Sequence, residues 1–110
     1  MKRLVTWSVL VACGSPVPPN STDGPVLFAA YCASCHGPTG QPSAQMIARL
    51  NVKDLTSPAL RPKLTPAFVE GQILNGSQNG LMPPFAGVIH EAQMKAIAAW
   101  VASPQFVAPK

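Results

Sequence analysis

A chain of 110 residues has room for one domain, and with 47% hydrophobic and only 11% charged residues it is not disordered through charge. Thirteen prolines and eight glycines demand much irregular chain, and aromatics at 6% are too few to build a large core from side chains alone. The formal charge of +4 falls to six basic against four acidic residues, about +2, once Lys2 and Arg3 are set aside with the leading segment, too little for a nucleic-acid surface.

Residues 1–12 have the layout of a secretory signal peptide. Met1-Lys2-Arg3 is positive, residues 4–12 are apolar apart from Thr6 and Ser8, and a small residue precedes the expected cut. The run is well short of the ~20 residues that span a bilayer as a helix. Leu10-Val11-Ala12-Cys13 resembles the lipobox of bacterial lipoproteins. That resemblance implies cleavage before Cys13, acylation of Cys13 and a membrane-anchored protein on the periplasmic side; without lipidation the protein would be free in the periplasm. Residues 13–23, rich in Pro, Ser, Asn and Thr, then read as a lipidated cysteine and an extended tether.

The domain expected over residues 24–110 carries helix signals and no run of alternating strand residues. Residues 24–34 place Leu27, Phe28 and Tyr31 on one stripe, and Ser43 caps a short helix bearing Met46, Ile47 and Leu50. Residues 51–64 are irregular and hold Lys53, Arg61 and Lys63. Thr65-Pro66 starts a third helix closed by Asn75-Gly76. A fourth runs over residues 91–103 and stops at Pro104, with Met94, Ile97, Ala98 and Val101 on its apolar face. The fold class is therefore all-α, about four short helices around an added organiser.

Cys32-Ala33-Ser34-Cys35-His36 supplies that organiser. On a helical turn, positions i, i+3 and i+4 share a face, so two thiols and an imidazole converge. This pattern attaches a c-type haem: each thiol adds to a vinyl group, and the imidazole binds the iron. A thioredoxin-like pair lacks its βαβ context, structural zinc lacks a fourth ligand, and a bare disulfide leaves His36 unexplained.

From residue 24 to about residue 101 the chain resembles a small class I cytochrome c of the bacterial monohaem type. Gly24-Pro25-Val26-Leu27-Phe28 matches that family's first helix, with the Cys32–His36 motif at its end, and Ile97, Trp100 and Val101 match its last. The resemblance implies one covalently bound haem c and two crossing helices, with Gly24 allowing their approach and Phe28 packing on Trp100. It also implies a methionine ligand from the loop before the last helix. In Asn79-Gly80-Leu81-Met82-Pro83-Pro84-Phe85 that residue is Met82, stiffened by two prolines. The rival ligands are Met46, Met94 and His90, but the first two lie on helix faces, as packing methionines do, and His90 begins a helix, where a polar residue caps or faces solvent; an open sixth site is a further alternative. Gly37-Pro38 follows His36 directly, which leaves the acceptor of the imidazole N–H unassigned. The expected function is an electron carrier, or an electron-transfer subunit of a redox complex, working with redox partner proteins and without nucleic acid. The alternative is a haem-based ligand sensor or peroxidase-like protein. Lys53, Arg61 and Lys63 would lie near the haem propionates, meet an acidic partner, or simply face solvent.

Overall fold

The structure, a computed structural model, describes residues 17–109, and the signal-like segment with Cys13 lies outside them. Among the described residues there are five α-helices and no strand: α1 (Gly24–Tyr31), α2 (Ala33–His36), α3 (Ala44–Leu50), α4 (Pro66–Asn75) and α5 (Glu91–Ala102). Two 3-10 turns, Arg61–Lys63 and Pro104–Phe106, complete the helical parts. None of these helices is long and apolar enough to cross a membrane.

The local chemistry of each start is visible. The Asp23 carboxylate accepts the Val26 N–H at 3.2 Å, and Pro25 occupies the first turn of α1, where no N–H is needed. Ser43 caps α3 through the Met46 N–H, and Thr65 caps α4 through the Phe68 N–H, each at 3.2 Å. At α5 the His90 N–H donates to the Gln93 side-chain oxygen at 3.0 Å. The single helix expected over residues 24–34 is two. Cys32 has φ −119°, far from the helical value, so α1 ends there and α2 starts a fresh turn.

The core forms where α1 and α4 pack on α5. Leu27, Phe28, Val69, Ile73, Met94, Ile97 and Val101 are all buried in it. Gly24 is where α1 crosses α5: a Cβ there would lie 2.7 Å from Trp100 Cβ and 2.8 Å from the Ala96 carbonyl oxygen. The expected close approach at Gly24 is therefore present. The aromatic contact differs, because Phe28 and Trp100 each make a T-shaped contact with Phe106, at ring separations of 5.2 and 5.7 Å. Pro104 turns the chain after α5 and swings Phe106 back between the two rings.

Two further features differ from the expectation. The Gln93 side chain, 4% exposed, donates to the carbonyls of Pro19 and Ser21 at 3.1 and 3.2 Å, and Val17 packs against the core. The folded unit thus begins before residue 24, and the last part of the segment read as tether is docked on α5. Arg61 is not a free surface cation. Its guanidinium donates to the carbonyls of Leu55, Val101 and Ser103 at 3.2, 2.6 and 3.1 Å and lies 5.5 Å from the centre of the Phe106 ring. It closes the C-terminal end of α5, where orphan carbonyls and the negative end of the dipole favour a cation.

Candidate functional site

Between α1–α2, α4, α5 and the two long loops lies a cavity of about 530 Å³. Cys32, Cys35, His36 and Met82 all border it, so His36 and Met82, 46 positions apart in the chain, meet one cavity. Met46, Met94 and His90 do not: Met94 is buried in the core, Met46 is half-buried on α3 and His90 is exposed at the start of α5.

The kink at Cys32 positions the first three residues. The Cys35 and His36 N–H groups both fold back onto the Cys32 carbonyl, at 3.2 and 2.9 Å, and draw the motif into one tight turn. Burial, and the neighbouring Cys35, push the Cys32 thiol up to about 11. A reactive dithiol pair needs the opposite shift, so the setting does not favour a nucleophilic thiolate at Cys32. Burial also lowers His36 below the ordinary imidazole range, while its contact with the Lys53 carbonyl pulls weakly the other way. The ring is neutral at pH 7. Its Nδ1 faces the Lys53 carbonyl oxygen at 3.1 Å, and a carbonyl can only accept. The proton therefore sits on Nδ1, and Nε2 keeps its lone pair. Lys53 thus supplies the acceptor that the sequence left unassigned, through its backbone rather than its charge.

Met82 is held from the other side by residues the sequence reading did not single out. Gly76, at φ 70°, ends α4, and a Cβ there would stand 2.5 Å from the Met82 carbonyl oxygen. Only glycine permits that crossing. The Ser77 N–H donates to the Met82 carbonyl at 3.0 Å, and the Met82 N–H donates to the Ser77 hydroxyl at 3.0 Å. The Phe85 N–H then donates to the Ile73 carbonyl at 2.9 Å, returning the loop to α4. The Asn-Gly pairs at 75–76 and 79–80 were legible turn signals, but the pairing of Ser77 with Met82 was not.

The donor set fits a haem. The walls are mostly apolar, as a macrocycle requires, and two thiols on one turn match two vinyl groups. Neutral Nε2 and a thioether are both competent iron ligands. Phe68 and Leu81, which border the cavity, remain 50% and 49% exposed, surface that a bound macrocycle would cover.

Comparison with known proteins agrees with this fit. The family model described as cytochrome c oxidase, cbb3-type, subunit III matches residues 19–101. Cytochrome c6 of Synechocystis sp. is 36% identical over 78 residues, which is 71% of this chain and 60% of that protein's own length. Among solved structures, the KustC0563 c-type cytochrome is 25% identical with a TM-score of 0.64, covering 73% of this chain and 94% of its own. A Tyr-to-Phe mutant of that protein gives 26% identity and a TM-score of 0.63, with 73% and 95% covered. The chain belongs to this c-type cytochrome family: it is a small class I cytochrome c with one covalently bound haem c.

Proposed function

We propose that this protein is a one-electron carrier whose haem is attached at Cys32 and Cys35 and ligated axially by His36 and Met82. When bound, the haem supplies a reversible ferric–ferrous couple. Among the described residues that border the cavity there is no carboxylate, no arginine and no second histidine, and this observation carries the reading. Cleaving a peroxide calls for a side chain that can take up and release protons over the open iron face, as a carboxylate or a second histidine would. The side chains here are built for holding instead. His36 presents one lone pair with its other nitrogen committed, and Met82 presents a neutral thioether from a braced loop. With haem bound, the apolar side chains Phe28, Leu64, Val69, Ile73, Ile97 and Val101 would exclude water from the buried part of the cavity.

Carbon monoxide distinguishes the carrier from the sensor or peroxidase-like reading. The reduced native protein should bind it poorly, and Met82→Ala should bind it readily. Avid binding by the native protein, with Met82→Ala unchanged, would sink the His/Met assignment and favour the open-site alternative.

A setting goes with this reading: the periplasmic side of a membrane, an acyl anchor at Cys13 and protein redox partners. The lipobox-like Leu10-Val11-Ala12-Cys13 supports the anchor, and mass spectrometry for acyl mass on Cys13 in membrane-extracted protein tests it. The match to a family described by an oxidase subunit favours a second form of the same reading, in which the carrier is a fixed subunit of a redox complex. Co-purification of a redox enzyme with the chain would separate the two.

A further inference from the structure

A thioether is a weak neutral ligand, and it stays on iron only if its backbone has few other places to go. Pro83 restricts the conformation of Met82 just before it, but a proline has no N–H with which to fasten the loop to the rest of the domain. We propose that Ser77 is a positioning residue for the axial ligand, its hydroxyl locked by Asn79 so that it holds the Met82 backbone at the cavity wall. The inference rests on the reading of Met82 as the sixth ligand.

The hydrogen bonds define the device. Both backbone polar groups of Met82 are answered by Ser77: the carbonyl by the Ser77 N–H and the N–H by the Ser77 hydroxyl, each at 3.0 Å. A hydroxyl has one proton to give, and here it goes to the Asn79 side-chain oxygen at 2.6 Å. Its lone pair is therefore turned towards the Met82 N–H. The same Asn79 oxygen accepts the Leu81 N–H at 3.0 Å, so Asn79 is itself fixed by the loop it organises. Behind this ring, the Gln72 amide donates to the Gly76 carbonyl at 2.8 Å, tying Gly76 and Ser77 to α4. Helix α4 is anchored in the core by Val69 and Ile73. A continuous chain of contacts thus runs from the core through Gln72, Gly76 and Ser77 to Met82. Ser77 and Asn79 both border the cavity, so the device sits at the ligand and not at a remote edge of the loop.

The test uses the full haem-loaded protein with Ser77→Ala, Ser77→Thr and Met82→Ala. Two signals are read: the rate of carbon monoxide binding to the reduced form, and the thioether-to-ferric-iron charge-transfer band with the pH at which it is lost. Ser77→Ala should bind carbon monoxide roughly fivefold faster, the factor that one net hydrogen bond is worth, and lose the band at lower pH. Ser77→Thr keeps a hydroxyl and should behave as wild type. If Ser77→Ala assembles poorly, Asn79→Ala unlocks the hydroxyl without removing it and should give a smaller change in the same direction. Wild-type behaviour in Ser77→Ala, or in Asn79→Ala where that variant substitutes for it, would overturn the proposal and leave Met82 as ligand. So would Ser77→Thr behaving like Ser77→Ala. A silent Met82→Ala would instead overturn the ligand assignment on which the proposal rests.

Discussion

At the level of single residues, the site works by fixing which atom of each side chain is free. His36 is oriented because Nδ1 is committed to the Lys53 carbonyl, so under the proposed ligation the nitrogen that would meet the iron is set before the metal arrives. Met82 differs in kind, since a thioether has no proton to place and only its backbone can be held. Under the proposed ligation, exchanging Met82 for an imidazole should therefore change the electronics more than the geometry. Met82→His is expected to keep a six-coordinate iron and to lower the potential substantially, within the ~0.8 V range that axial ligands span. Potentiometric titration with optical detection checks this, and an unchanged potential would place the ligand elsewhere. The rivals Met46 and Met94 should leave the spectrum as it is when changed to alanine, because neither borders the cavity.

At the level of elements, the α1–α5 crossing and the end of α5 hold the cavity's apolar wall in place. Gly24→Ala should destabilise the holoprotein by roughly 1–3 kcal/mol, because the added Cβ meets Trp100 Cβ and a backbone carbonyl that cannot move independently of α5. A denaturant midpoint shifted down at constant slope would show it. Arg61 makes a different prediction from the one its sequence position suggests. Its guanidinium bonds three backbone carbonyls across two segments, so Arg61→Ala should cost about 2–3 kcal/mol and Arg61→Lys should recover only part, since an ammonium cannot reproduce the fork. Its potential should stay close to wild type. A large shift in potential without loss of stability would instead support the propionate role.

At the level of the whole molecule, haem and protein make one core between them. The cavity of about 530 Å³ is bordered by Phe28, Leu64, Val69, Ile73, Ile97 and Val101, which are also the buried residues that should hold the helices together. Left without haem, it would expose these apolar side chains to water and remove the packing between the helices. The double substitution Cys32→Ser, Cys35→Ser removes the covalent hold. It should leave a chain without a cooperative unfolding transition, with haem extracted into acidified acetone. A stable, cooperatively unfolding haem-free protein would show that the side chains suffice by themselves.

Much of this was legible in the chain alone, and for a physical reason: the information was local. Thr65-Pro66 and Ser43 cap helices within three residues, apolar spacing along α5 marks its buried face, and two cysteines with a histidine on one turn announce the haem. The shortage of aromatics had already indicated that the core needed something besides side chains. What could not be read were contacts between residues far apart in sequence, where no pattern records the partner. The Lys53 carbonyl on His36, Phe106 between Phe28 and Trp100, and Arg61 on the end of α5 are all of this kind. So is the docking of Pro19 and Ser21 on Gln93, which carries the folded unit into a stretch whose composition reads as tether. A backbone carbonyl is identical in every residue, and so its choice as a partner is made by the approach of chain segments in space and not by the side chain attached beside it.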